Sequence, residues 1–214
     1  MTPQLPYHAV REIFARFRAA NAEPKGELEH LNAFTLLVAV ALSAQATDKS
    51  VNAATRALFA VADTPAKMAA LGEEGLIPFI RTIGLFRTKA RNVIRLSRLL
   101  IERYGGEVPS SRAALTGLPG VGRKTANVVL QMWFGLPAQA VDTHVFRVGN
   151  RTGIAPGRDE AAVERAIEDN VPAEFLAHSH HWLILHGRYI CLARKPRCAD
   201  CLIADLCAFP EKTA

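Results

Sequence analysis

Apolar residues recur along most of this chain at helical rather than strand spacing. Over residues 10–18, Val10, Ile13, Phe14 and Phe17 fall on one face between Arg11, Glu12, Arg16 and Arg18. That pattern is the ordinary mark of a helix docked on a core. It also mimics a basic transit peptide, but the docked helix is the reading adopted. From Asp48 to Val61, a second stripe places Val51, Ala54, Leu58 and Val61 together. Thr64-Pro65 reads as a cap followed by proline at the first helical position. Arg87 to Tyr104 predicts a long helix with Val93, Leu96, Leu100 and Tyr104 inward, stopped by Gly105-Gly106. Ser110 to Leu115, Arg123 to Phe134, Asp159 to Asp169 and Glu174 to Tyr189 complete the helical segments. No strand-like alternation of any length appears, so the predicted fold class is all-α. No linker rich in Gly, Ser or Pro, no low-complexity tract and no clear repeat marks a domain boundary.

One of the turns between these segments carries chemistry. Leu118-Pro119-Gly120-Val121-Gly122 leads into Arg123-Lys124-Thr125, and Asp142 follows eighteen residues after Lys124. Glycines at a helix start let backbone N–H groups approach an anion closely, and the helix dipole favours negative charge there. Such a turn can grip one phosphate of a nucleic acid strand. The segment is nearly a nucleotide-binding P-loop, but that motif needs lysine directly after its second glycine and a buried strand before it. Here Arg123 intervenes, and the preceding residues read as a short helix.

Composition narrows the partners. The 214 residues carry a formal net charge of +6, and 50% are hydrophobic. The length can bury a good core, and the hydrophobic share makes disorder a poor reading. The positive balance favours a polyanionic partner, weakly by itself. The longest apolar run, Leu36 to Leu42, is too short for a bilayer, which needs about 20 residues. There is no apolar signal core at the N-terminus, so the expectation is a cytoplasmic protein with no membrane partner.

All four cysteines, Cys191, Cys198, Cys201 and Cys207, lie in the last 24 residues with spacing C-x6-C-x2-C-x5-C. Two disulfides would suit a secreted protein, for which there is no signal, so a metal centre is preferred. Only Cys198 and Cys201 make a zinc-type knuckle, and the spacing matches no common ferredoxin pattern. Zinc and iron–sulfur both stay open on spacing. The first loop between cysteines holds Arg194, Lys195 and Arg197, either a solvated charge run or an array that meets phosphates. His178, His180, His181 and His186 suggest a second metal site, but no acidic partner falls at helical spacing beside them, and packed histidines are the commoner outcome.

The string LPGVGRKTANVVL from Leu118 to Leu130 resembles the helix-hairpin-helix of DNA repair glycosylases, in the endonuclease III family. So do Leu42-Ser43-Ala44-Gln45-Ala46-Thr47-Asp48, Val141-Asp142-Thr143-His144-Val145 and His181-Trp182-Leu183-Ile184-Leu185-His186-Gly187. The likeness runs from about Val10 to Cys207, with the motifs in the family's order. It implies two helical lobes flanking a DNA-binding groove: a six-helix barrel over residues 26–136 with the hairpin at about 112–131, and a second lobe from residues 1–25 and 137–214 with a [4Fe–4S] loop at 191–207. In that arrangement Lys124 and Asp142 come from opposite sides of the groove.

From the residues alone, Lys124 is a phosphate contact and Asp142 the N-cap of a helix beginning near Thr143, because those are the commoner roles. The resemblance assigns them catalysis instead. The Lys124 amine attacks C1′ of a damaged nucleotide, and the Asp142 carboxylate stabilises positive charge on the sugar. The resemblance also makes the four cysteines the cluster ligands. It assigns DNA contacts to Gln45 and Leu85, which insert into the base stack, to Leu118, Gly120, Gly122, Arg123 and Thr125 of the hairpin, and to Arg194, Lys195 and Arg197. His144 lines the damaged-base pocket in this reading. Phe86-Arg87-Thr88 departs from the tyrosine-containing stretch expected there. The implied function is base excision repair: removal of oxidised pyrimidines from duplex DNA, with abasic-site lyase activity, by a monomer associated with the bacterial nucleoid. Adenine-specific relatives lack a lysine at this position, so Lys124 separates this reading from a monofunctional glycosylase. Lys124 with Asp142 separates both from a non-catalytic DNA-binding module.

Overall fold

The computed structural model describes residues 2–24 and 26–213, and among them it holds ten helices and no strand. The fold is all-α, as the apolar spacing predicts. The chain divides into two units, Gly26–Gly135 and the segments Met1–Lys25 with Leu136–Ala214.

The Gly26–Gly135 unit contains α2 (Ala33–Leu42), α3 (Asp48–Val61), α4 (Pro65–Ile80), α5 (Phe86–Tyr104), α6 (Arg112–Thr116) and α7 (Arg123–Met132). α2 is apolar almost throughout, and Leu36, Leu37, Val38 and Ala39 have no solvent exposure. A helix hydrophobic on all sides belongs in an interior, and α2 lies against α3, α5 and α7. Its start is fixed by a reciprocal capping box between Asn32 and Thr35. Thr47, Thr64 and Ser111 each accept a backbone N–H at the starts of α3, α4 and α6. Two details differ from the sequence pattern. α4 is broken at Gly72, whose φ of 65° and ψ of 178° are not helical. Val61 is 53% exposed, because the chain leaves the helix at Ala62 and it is Ala62 that turns inward.

The other unit contains α1 (Tyr7–Ala20), α8 (Thr143–Thr152), α9 (Glu160–Asn170) and α10 (Ala173–Tyr189). α1 buries Val10, Ile13, Phe14 and Phe17. Phe14 stacks on Phe175 at 5.9 Å and tilts against Trp182 at 6.1 Å. Such pairs add about 1 kcal/mol each beyond their burial. The Trp182 indole N–H donates to the Asn21 carbonyl at 2.8 Å, which closes the end of α1 onto α10. α8 and α10 approach closely at Gly187, where a Cβ would sit 2.9 Å from the Cβ of His144. Among the described residues beyond α10 there is no further helix, and the chain runs as turns to residue 213.

Candidate functional site

The hairpin is a chain of short-range bonds. The Leu118 N–H donates to the Leu115 carbonyl at 3.0 Å, and the Val121 N–H to the Leu118 carbonyl at 3.1 Å. Gly120 has φ of 77°, and a Cβ there would lie 3.0 Å from the Asn92 Cβ, so both backbone and space require glycine. Gly122 caps α7 without a side chain. The start of α7 therefore has no side-chain cap from its N-cap residue. Arg123 and Lys124 stand exposed on the first turn, and Thr125 is half-buried. Arg112 Nε donates to Asn127 Oδ1 at 2.8 Å, which ties α6 to α7. Leu118, expected to meet DNA, is only 4% exposed. Its side chain belongs to the core.

Gln45 and Leu85 share an uncommon backbone. Both are non-glycine residues in the left-handed region, with φ of 56° and 61°. L-residues pay about 1–2 kcal/mol there, and such positions cluster where geometry serves function. Gln45 is exposed, and Leu85 is 63% exposed although it is a large apolar side chain. Beside Leu85, the Arg87 guanidinium lies over the Phe86 ring at 5.5 Å.

Asp142 is the N-cap of α8. Its Oδ1 accepts from the N–H groups of His144 at 2.9 Å and Val145 at 2.8 Å. The capping geometry considered from sequence is therefore present. It does not compete with a catalytic role, since two fixed bonds to one oxygen orient the whole carboxyl. His144 is half-buried, and Arg147 donates to its Nδ1 at 3.2 Å.

The cysteine loop holds all four thiols without a disulfide. Cys191, Cys198, Cys201 and Cys207 line one pocket together with Arg151, His186 and Phe209. Burial first, and then the other three cysteines, push the Cys201 thiol above its ordinary range. Thiolates gathered here repel one another unless a cationic centre lies between them. Among the described residues, no three His, Cys, Asp or Glu side chains are grouped tightly enough for a single metal ion. Four thiols around one pocket form an all-sulfur donor set that suits an iron–sulfur cluster. The histidines of α10 do not converge: His178 meets Trp182 edge-on at 5.6 Å, and His186 Nε2 lies 3.7 Å from Cys201 Sγ. Burial lowers the His186 pKa to about 4.

Several residues that hold this loop gave no sign in the sequence. Arg151 donates to the Leu192 carbonyl at 2.7 Å and approaches Cys191 Sγ at 3.6 Å. Arg147 donates to the Cys191 carbonyl at 3.0 Å and the Gly187 carbonyl at 2.8 Å. Arg16 of α1 pairs with Asp205 and reaches the Leu202 carbonyl. The arginines of α8 sit some 40 residues from their partners, a separation that periodicity does not register. In the basic array, Lys195 and Arg194 are exposed, and Lys195 is left-handed with φ of 48°. Arg197 is paired with Asp200 at 2.8 Å, whereas among the described residues Arg194 and Lys195 form no ion pair.

Known proteins resemble the chain along most of its length. Residues 38–173 match the model of the HhH-GPD superfamily base excision DNA repair protein. Residues 191–207, from the first cysteine to the last, match the iron–sulfur binding domain of endonuclease III. Endonuclease III of Escherichia coli (strain K12) is 58% identical over 201 residues, covering 94% of this chain and 95% of that protein. Endonuclease III of Treponema pallidum (strain Nichols) is 59% identical over 198 residues, covering 92% and 94%. Among solved structures, a trapped endonuclease III–DNA covalent intermediate superposes with a TM-score of 0.88 at 44% identity, over 95% of this chain and 96% of that one. A thermostable thymine-DNA glycosylase superposes with a TM-score of 0.84 at 25% identity, over 95% of each chain. The chain belongs to the endonuclease III family, [4Fe–4S]-bearing DNA glycosylases of base excision repair within the HhH-GPD superfamily.

Proposed function

We propose that this chain excises oxidised pyrimidines from duplex DNA and then cuts the strand on the 3′ side of the abasic site, with Lys124 as nucleophile. The observation that carries the reading is the exposed Lys124 on the first turn of α7, directly after a glycine hairpin whose N-cap, Gly122, has no side chain. The hairpin grips a phosphate, and the lysine reaches the neighbouring sugar. The Lys124 lone pair forms a bond to C1′, and the bond from C1′ to the base breaks, with the departing base taking its electrons and a proton. The amine loses its protons as the sugar ring opens to a Schiff base. Removal of a C2′ proton then expels the 3′ phosphate oxygen by β-elimination, and water releases the lysine. The Asp142 carboxylate stabilises the positive charge that develops on the sugar and helps deprotonate the amine.

A base inside a duplex must leave the stack before its sugar can be attacked, at a cost of a few kcal/mol that is least for a damaged base. In this reading Gln45 and Leu85 fill the space it leaves. Cys191, Cys198, Cys201 and Cys207 hold the cluster. When bound it supplies a rigid anchor for the loop carrying Arg194 and Lys195, which meet backbone phosphates. All four of its protein positions are thiolates, which gives it a structural rather than a substrate-binding role.

The test is borohydride trapping on a duplex containing one thymine glycol. A stable adduct that is absent in Lys124→Gln supports the reading. Base release without an adduct would make this chain a monofunctional glycosylase.

A further inference from the structure

Lys89 is the buried cation of the Gly26–Gly135 unit for which the chemistry above has no use. It lies in the first turn of α5, 7% exposed. Its Nζ donates to the Leu42 carbonyl at 2.9 Å and the Ala44 carbonyl at 2.7 Å. Those carbonyls flank Ser43 at the end of α2, immediately before Gln45. The Lys89 main-chain N–H donates to the Leu85 carbonyl at 3.0 Å. One residue therefore bonds the approach to Gln45 through its ammonium and Leu85 through its amide. The two loops are close independently of it, since a Cβ built at Gly84 would lie 4.0 Å from the Gln45 carbonyl.

We infer that Lys89 is a positioning residue that locks the Gln45 and Leu85 loops into one unit, so that the two side chains enter the base stack together. This rests on the reading of Gln45 and Leu85 as inserting residues. Three observations support it. Left-handed non-glycine residues persist only where their surroundings over-determine them, and Leu85, 63% exposed, has little packing of its own to do so. The end of α2 presents unpaired carbonyls and the negative end of a dipole, which a cation satisfies. Finally, burial pushes the Lys89 pKa down, and among the described residues no carboxylate pairs with it. A methionine would fill the same space without that desolvation. Packing alone does not account for a lysine here, whereas the two carbonyls its ammonium reaches at the end of α2 do, while its main chain holds Leu85.

The test compares Lys89→Gln, Lys89→Met, Leu85→Ala and the double variant Lys89→Gln/Leu85→Ala on two substrates. One is a duplex thymine glycol, where a flipped base leaves a gap. The other is an abasic site in single-stranded DNA, where no gap needs filling. On the duplex, Leu85→Ala is expected to lose about tenfold in base release, Lys89→Gln about fivefold, and Lys89→Met, which keeps the stem but neither donor, more than Lys89→Gln. The double variant is expected to be no worse than Leu85→Ala, because residues acting through one another are not additive. Single-stranded cleavage should stay within about twofold in both single Lys89 variants, and it doubles as the control for their folding. Parent-like duplex activity in both Lys89 variants would overturn the inference while leaving the reading of Leu85 intact. So would losses that multiply in the double variant, or losses equal on the two substrates. Full duplex activity in Leu85→Ala would instead remove the inserting role, and the inference with it.

Discussion

The two units hold their functional groups by different means. In Gly26–Gly135 the devices are backbone ones: Gly120 at φ of 77°, Gln45 and Leu85 at 56° and 61°, and a helix start with no side-chain cap. The surrounding core is largely apolar, and α2 is its centre. In the other unit the cysteine loop has no helix or strand of its own, and long cationic side chains hold it. Arg16, Arg147 and Arg151 bond its carbonyls and Asp205. A strained turn needs a rigid frame, which helices supply. A loop arranged around a cluster needs donors that reach its carbonyls from a distance, which arginine supplies.

The sharpest way to test this contrast is to remove one group from each side. Lys124→Gln should reduce strand cleavage on the order of 10³-fold or more while DNA binding persists, measured by nicking and by gel shift. Unchanged nicking would sink the Schiff-base reading. On the other side, Cys201→Ser should lower the iron content from about four per chain and bleach a broad absorbance near roughly 400 nm. A colourless, zinc-loaded parent protein would overturn the cluster assignment.

Acid should act on the second unit first. Burial, and then the charge of His178, lower the His181 pKa to about 4 from 6.5. The unfolded chain therefore takes up the proton first as pH falls. The contribution is complete above about pH 6.5 and is lost progressively toward pH 4, by at most about 3 kcal/mol. His181→Asn should reduce the fall in melting temperature across that window, leaving the share that His186 contributes. A variant as acid-sensitive as the parent would show that other groups set the slope.

Smaller effects resolve the two glycines of the hairpin. Gly120→Ala meets both a positive φ and the Asn92 side chain at 3.0 Å, and should cost about 1–3 kcal/mol in denaturant unfolding. Gly122→Ala has an ordinary φ of −85° and open space, and should cost less than about 1 kcal/mol. Equal losses would mean that the backbone of the turn is not what matters. Smallest are the loop charges. Arg194→Ala should weaken DNA binding and reduce the salt slope by about 1, whereas Arg197→Ala, already paired with Asp200, should change the slope by roughly half of that or less.

Helices were legible in the sequence because their cause is local. Apolar spacing marked α1, α3, α5 and α10, and Thr64-Pro65 marked the start of α4. The break at Gly72 was not legible, since a glycine inside a helical pattern is often tolerated. Glycine spacing made the hairpin and Lys124 visible. Cysteine clustering indicated a metal centre but not its kind, because four thiols suit both zinc and iron–sulfur. The left-handed Gln45 and Leu85 could not be foreseen, since neither residue type favours that conformation. The bonds of Lys89, Arg147 and Arg151 were hidden too, because the carbonyls they reach lie 40 or more residues away.

The exposed Leu85 also has a consequence for attempts to improve this protein. A search for heat-resistant variants would find position 85 early, because glycine there relieves a backbone cost of about 1 kcal/mol and removes an apolar side chain from water. The winning variant would melt later, express well and carry its cluster, yet lack the side chain that we propose enters the base stack. Stability selected blindly would thus erode the enzyme where it is least comfortable, and discomfort at Leu85 is better read as a specification than as a fault.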